Sequence, residues 1–387
     1  MPRDFTSRKA AVFTESVIRE MTRLAQRHGA VNLAQGFPDF PAPSAIKEAA
    51  KRAIDADFNQ YAITWGTRAL RAAIAERMRK YNRVEVDPES MITVCCGATE
   101  AMISALLATV DPGEEVIVFE PFYENYGPDC VLSGATPVFY RLEAPDFAID
   151  FDRLRGLMNA RTKAIVLNTP NNPTAKVFTR AELERIGALA CEFDCLVITD
   201  EIYEYILYDG AEHVSMASLP GMASRTITIS GLSKTFSVTG WRVGWCVAPP
   251  AITAAIRKVH DFLTVGAPHP LQEAAAVALG SDESYYRDLA IAYRARRDRL
   301  HRGLVDAGFT PSLPRGAYYI LAGFDRFGFA DDVAFARHLV EKVGVAAVPG
   351  SSFFANPKDG ARLIRFCFPK RDATLDAALE RLARIAH

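Results

Sequence analysis

Between residues 91 and 248 short runs of β-branched and other apolar residues recur, and longer amphipathic stretches separate several of them. The predicted strands are Met91–Cys95, Glu115–Phe119, Thr136–Tyr140, Ala164–Asn168, Leu196–Asp200, Thr226–Ser230 and Trp241–Ala248. Parallel neighbours need a crossover, usually a helix, so this alternation commits the chain to an α/β fold with a mostly parallel, helix-covered sheet. Three of the runs end in a polar residue: Asn168, Asp200 and Ser230. Strand ends turn polar wherever they meet a loop. Ligands of open α/β sheets also bind just beyond the carboxyl ends of the strands, and three such ends near one lysine, Lys234, point to a cleft.

The helical pattern supports the same reading. Thr179 to Glu182 spells a capping box and predicts a helix to about Phe193; others are predicted from Ser16 to His28, from Gly97 and from Phe122. A long helical pattern runs from Asp282 to Ala307. Tyr318–Leu321, Asp331–Val343, Leu363–Phe368 and a helix from Ala373 then read as a smaller α/β unit. A chain of 387 residues exceeds the usual reach of one core. The expected division is an N-terminal arm, 1–45, packing with a small C-terminal domain, 286–387, around a large domain, 46–285.

Composition narrows the function classes. A formal net charge of −1 favours neither nucleic acid nor an anionic membrane, and no apolar run approaches the length of a membrane span. The N-terminus lacks a charged-then-apolar signal pattern. The 7 cysteines include no C-x-x-C pair and most lie in apolar runs, which reads as reduced core thiols. The histidines are scattered without metal-ligand spacing, so no metal is expected. The cytoplasm is the expected compartment.

The segment Ser230-Gly231-Leu232-Ser233-Lys234-Thr235, followed by Arg242, carries the chemistry. Small neighbours leave Lys234 approachable, and its amine can form an imine with an aldehyde. Arg242 has the planar fork that suits phosphate. Pyridoxal 5′-phosphate carries both groups. Asp200, directly after four apolar residues, is expected to be partly buried and to need a cationic partner, which a protonated pyridine nitrogen provides. Tyr203 is placed to donate to the ring's phenolic oxygen, or is a packing tyrosine. Gly97, Ala98 and Thr99 form a strand-to-helix turn whose free N–H groups suit an anion; an ordinary connection has the same appearance. Asn172 precedes a proline and is held extended.

Together these stretches resemble the class I and II pyridoxal-phosphate-dependent aminotransferases over nearly the whole chain. The attachment-site pattern is Gly231 to Gly244, joined by Asn-Thr-Pro-Asn-Asn-Pro-Thr (168–174), Asp-Glu-Ile-Tyr (200–203) and Arg-Phe-Cys-Phe (365–368). Asn32 to Phe40 and Glu120 to Tyr123 bring it nearest the kynurenine, glutamine and methionine branch. The resemblance implies that Lys234 carries the Schiff base and Asp200 binds the pyridine nitrogen. It further implies that Tyr203 and Asn172 hydrogen-bond the ring oxygen and that Tyr123 stacks on the ring. Gly97, Ala98, Thr99 and Arg242 would hold the phosphate, with Ser230 or Ser233 supplying a hydroxyl where many members place one at position 231. Arg365 would clamp the substrate α-carboxylate with Asn172 and the Gly36 backbone, and Ile18 and Phe37 would line the side-chain pocket. Tyr61 would reach a partner subunit's phosphate, implying a homodimer with shared sites. Gly231, Ala175, Cys95 and Cys96 depart from the family's usual residues.

The implied reaction is ping-pong transamination between an amino acid and a 2-oxo acid, with Lys234 moving the Cα proton. Apolar candidates Phe13, Ile18, Phe37 and Tyr61 favour an aromatic, methionine or glutamine-like donor. Dicarboxylate specificity needs a second cation, and sequence alone does not bring Arg68, Arg71 or Arg315 to the site. An aspartate-type enzyme and a cysteine-conjugate β-lyase are the alternatives. A non-catalytic, DNA-binding regulator lacks the basic helix-turn-helix it needs.

Overall fold

The computed structural model describes residues 5–386. A seven-stranded sheet runs in the order Ile92–Cys95, Gly244–Val247, Thr226–Gly231, Leu196–Asp200, Thr162–Asn168, Glu115–Glu120, Thr136–Arg141. Gly244–Val247 is antiparallel to both neighbours; the other pairings are parallel. In register, Asn168 lies beside Asp200, so the polar strand ends predicted from sequence are neighbours. The interior strands are buried on both faces, as helix-covered parallel strands must be.

Helix boundaries follow local chemistry. Arg180–Glu192 carries the full capping box, with Thr179 accepting from the Glu182 N–H and Glu182 accepting from the Thr179 N–H. Val17–His28 is capped by Ser16 and closed by Gly29 at φ 61, left-handed backbone that suits glycine. The helix expected from Phe122 starts instead at Tyr126. The Phe122 N–H is bonded to the Phe353 carbonyl, which ties that stretch to the C-terminal region. The strand expected from Trp241 begins at Gly244, because Thr239–Trp241 form a 3₁₀ turn and Arg242 adopts φ 54.

A second, antiparallel sheet runs in the order Val348–Pro349, Leu363–Cys367, Tyr319–Gly323, Thr310–Pro311. Val31–Asn32 pairs with Val345–Ala346. One core joins Ile18, Met21, Leu33 and Ala34 to Leu300, Phe335, Phe366 and Leu375, and reaches Tyr203 and Ile206 of the segment after Asp200. The N-terminal stretch thus packs on the C-terminal sheet, and both close over the end of the large sheet where the polar strand ends lie. Glu283–Asp306 is one unbroken helix. Among the described residues no helix is long and apolar enough to cross a membrane.

Candidate active site

A cavity opens at the carboxyl ends of the large sheet's strands. Its floor carries Asn168, Asp200, Ser233 and Lys234; Tyr319 and Arg365 come from the second sheet; Ile18, Gly36 and Phe37 come from the N-terminal stretch. Ala98, Thr99, Tyr123, Asn172, Tyr203 and Arg242 complete the set that sequence placed there.

Lys234 follows the strand Thr226–Gly231 by three residues, within a turn that leaves its side chain half-buried. Its Nζ lies 5.9 Å from the ring centroids of both Tyr203 and Tyr318. Burial, with the charges of Arg242 and Arg365, lowers the amine pKa to about 8, against an upward pull from Asp200. Burial and nearby positive charge both favour the neutral amine.

Asp200 is 7% exposed. Its Oδ2 accepts from the Tyr126 hydroxyl at 2.8 Å and its Oδ1 from the Ile202 N–H at 3.2 Å. Burial raises its pKa to about 6, restrained by those two bonds and by the Lys234 charge. Tyr126, like Tyr319, is a site residue that sequence reading missed. It lies three residues after Tyr123 on the same wall, the two rings meeting edge to face at 5.8 Å, but nothing in the spacing aims its hydroxyl at Asp200. Tyr203 shares a 2.9 Å hydrogen bond with Tyr319, and Tyr318 donates to the Gly36 carbonyl at 2.8 Å, so a cluster of tyrosines lines the junction of the two sheets.

Arg365 is fully buried on the strand Leu363–Cys367. Its Nη1 donates to Asn172 Oδ1 at 2.8 Å and its Nη2 to the Ala34 carbonyl at 2.7 Å. Its Nε is buried without a partner among the described residues. Asn172 is itself held by Asn168, whose Oδ1 accepts the Asn172 N–H at 2.7 Å and whose Nδ2 donates to the Asp200 carbonyl at 2.9 Å. The Asn-rich turn therefore connects the aspartate strand to the buried arginine.

Arg242 bends back over the turn that precedes the helix Ala98–Thr109, and its Nη2 donates to the Cys96 carbonyl at 3.3 Å. Gly97 sits at φ +83, where a Cβ would collide with the Arg242 guanidinium. The helix has no side-chain cap, which leaves first-turn N–H groups free for an anion.

Ser230, Tyr61 and Phe13, all expected at the site, lie elsewhere, and of the Gly97–Thr99 turn only Ala98 and Thr99 line the cavity. Ser230 is 3% exposed and its hydroxyl donates to the Glu204 carboxylate at 2.6 Å, outside the cavity lining. The strand residue is committed to a buried polar cluster, whereas Ser233, in the turn, reaches the cavity. A Cβ at Gly231 would lie 3.0 Å from both the Gly244 Cα and the Val243 carbonyl, so close strand packing accompanies the loss of a hydroxyl there. Tyr61 is 85% exposed and outside the cavity of its own chain. Phe13 does not line it either. Arg68, Arg71 and Arg315 are not in the lining; Arg71 is buried against the Gly66 and Pro88 carbonyls and pairs with Glu89.

The "Aminotransferase class I and II" family profile matches residues 28–382. A protein named "Probable N-succinyldiaminopimelate aminotransferase" from Mycobacterium tuberculosis is 42% identical over 97% of both chains. Methionine aminotransferase from Escherichia coli is 39% identical over 96% of both, and human kynurenine–oxoglutarate transaminase 1 is 38% identical over 94% of both. The solved structure of the N-succinyldiaminopimelate aminotransferase from Mycobacterium tuberculosis superimposes with a TM-score of 0.96, covering 98% of this chain and 100% of that one at 41% identity. The sheet topology, the lysine in its cleft and these likenesses agree, and the chain belongs to the class I and II aminotransferases.

Proposed function

We propose that this aminotransferase uses pyridoxal 5′-phosphate to exchange an amino group between an aromatic, methionine or glutamine-like L-amino acid and a 2-oxo acid. The observation that carries the reading is the Lys234 amine, brought to about 8 within one cavity by burial and the charges of two arginines. The donor set fits the cofactor. Arg242, Ser233 and the uncapped N–H groups around Gly97, Ala98 and Thr99 suit a phosphate; buried Asp200 suits a ring N–H⁺; Tyr203 and Asn172 suit the ring oxygen; Tyr123 suits the ring face.

When bound, pyridoxal phosphate supplies an aldehyde that condenses with amines and a ring that takes up the electron pair left by the departing Cα proton. The protein does the rest. Arg365 takes the substrate α-carboxylate, its orientation fixed beforehand by Asn172 and the Ala34 carbonyl, so binding loses little guanidinium freedom. Lys234, unprotonated in a substantial fraction with its pKa at about 8, accepts the Cα proton and later returns it. Asp200 remains ionised because Tyr126 and the Ile202 N–H hold its charge, and so it keeps a cation beside it. Tyr203, Tyr318 and Tyr319 limit water near the amine.

Ile18 and Phe37 give the cavity wall apolar surface, and Gln35 and Glu124 add polar groups that suit a side-chain amide. The relatives named for methionine and kynurenine support the same donor class. Arg19, a further cation in the lining, favours the aspartate-type alternative. We also infer a large domain of residues 46–285 and a small one of 286–387 joined by the arm 1–45, the continuous helix Glu283–Asp306 crossing that boundary. A homodimer in which Tyr61 enters the partner's site accords with its exposure. The cytoplasm accords with seven free cysteines, most of them buried.

The test is a panel of amino donors and 2-oxo acids, read both as turnover and as half-reaction spectra. Aromatic and sulfur-containing donors should lead, and Lys234→Ala should abolish turnover. Negligible rates with all those donors would remove the branch assignment, and pyruvate and ammonia released without an acceptor would favour the β-lyase. Unchanged turnover in Lys234→Ala would falsify the lysine's role.

A further inference from the structure

Behind the turn at Gly97 lies a buried pair that the reaction described above does not use. His260, on the helix Pro250–Thr264, is fully buried. Its Nδ1 is 3.1 Å from each oxygen of Glu100, and its Nε2 is 2.8 Å from the Thr64 carbonyl. A carbonyl only accepts hydrogen bonds, so Nε2 carries a proton. Glu100 also receives the Cys96 N–H at 3.0 Å and the Ser104 hydroxyl. With the Cys96 N–H on one Glu100 oxygen and the Ser104 hydroxyl on the other, the carboxyl suits its ionised, acceptor-only form, and Nδ1 then donates as well. Both ring nitrogens donate, and the ring is an imidazolium.

The electrostatics agree with the geometry. Burial pushes the Glu100 pKa up, but the His260 bond and charge, with the Ser104 and Cys96 donors, outweigh it and leave it lowered. Burial pushes His260 down, but the bond and charge of Glu100 and the Thr64 carbonyl leave it raised. The other groups around the ring are the Thr264 hydroxyl, 3.3 Å from Nδ1, the Asp261 carboxylate, and the Cys95 thiol, which burial keeps neutral.

Position gives the pair its meaning. Cys96, which leads into the Gly97 turn, is held at both of its backbone groups: Glu100 takes its N–H, and Arg242 donates to its carbonyl. Glu100 therefore fixes the turn that offers its free N–H groups to an anion, yet it sets a negative charge beside that anion. His260 removes the conflict by neutralising Glu100. Through Thr64 it also ties the turn to the segment that carries Tyr61, three residues earlier.

We propose that His260 is a charged positioning residue of the phosphate subsite, which cancels the Glu100 carboxylate so that the Cys96–Thr99 turn can hold a phosphate monoester. This rests on reading that turn as the phosphate subsite. Removing the ring while keeping the carboxylate leaves an uncompensated buried anion beside the bound phosphate, whereas removing both charges does not.

Apoenzyme is titrated with pyridoxal 5′-phosphate and with unphosphorylated pyridoxal, and the ratio of the two affinities is the readout. In His260→Asn that ratio should fall about tenfold, the scale of one charge acting at a helix N-terminus in a partly buried site. In the double variant Glu100→Gln/His260→Asn most of the ratio should return. Equal weakening of both compounds in His260→Asn, or a double variant with a lower ratio than the single one, would overturn the proposal. Should either variant fail to fold, ¹⁵N spectra of histidine-labelled wild-type protein at pH 8 decide: two protonated ring nitrogens on His260 support the assignment and one refutes it. A wild-type enzyme that binds pyridoxal as well as its phosphate would instead refute the phosphate subsite itself.

Discussion

Lys234 should destabilise the cofactor-free protein at neutral pH. Its pKa falls from 10.5 in the unfolded chain to about 8 in the fold, chiefly through burial. For a group whose folded pKa is depressed, the favourable contribution is present above the unfolded value and lost as pH falls through the folded one. Below pH 8 the folded state must carry a buried ammonium, at a cost of about 3 kcal/mol for that shift. Replacing Lys234 by methionine, similar in length and uncharged, removes this cost but also removes the attraction to Asp200, whose raised pKa then lets it neutralise more readily. The net expectation is an apoprotein more stable than wild type by about 2 kcal/mol at pH 7. The advantage should shrink steadily as pH rises from 8 to 10.5. Urea unfolding of both apoproteins at pH 7, 9 and 10 measures it. A Lys234→Met apoprotein that is less stable at pH 7, or an advantage independent of pH, would refute the argument that the fold strains this amine.

Arg365→Lys should raise KM for every amino donor by about tenfold or more while changing kcat less, because one ammonium cannot hold Asn172, the Ala34 carbonyl and a carboxylate at once; steady-state kinetics across two donors checks it. Tyr126→Phe removes the 2.8 Å bond that holds the Asp200 charge. The Asp200 pKa should rise by about 1 unit in the apoenzyme, and the acid limb of cofactor binding should move to higher pH by that amount, as read by absorbance titration. Ala175 sits at φ 60, in the left-handed region that favours glycine. Ala175→Gly should stabilise the protein by about 0.5 kcal/mol, the relief of that strain exceeding the added chain entropy; thermal denaturation at fixed pH tests the sign.

The large sheet was legible because its strands are short runs of β-branched and apolar residues, and the site's floor because those runs end in Asn168, Asp200 and, past the next strand, Lys234. Local patterns carry this information. Arg365 and Asn172 were identified through motif resemblance, since no local rule brings together residues 193 positions apart. Tyr126, Tyr319 and the His260–Glu100 pair escaped for the same reason: each acts through a partner supplied by tertiary packing, and a tyrosine or histidine in an apolar stretch looks the same whether it packs or donates. Ser230 misled because alternation along a strand decides which face a polar end serves, and the sequence shows the polarity without the face.

Arg365 and Lys234 belong to different sheets. The arginine rides on the antiparallel sheet of the C-terminal unit, and the lysine follows a strand of the large one. A substrate held as proposed, by its carboxylate at Arg365 and reacting at its Cα beside Lys234, would span the seam between the two sheets, and the distance it met would be a property of how they pack. The Arg365–Asn172 bond crosses that same seam and acts as a gauge block between them. Substitutions away from the cavity, in the core that joins Met21 and Leu33 to Phe366 and Leu375, can therefore detune the reaction by shifting one sheet against the other while every side chain that touches the substrate stays unaltered.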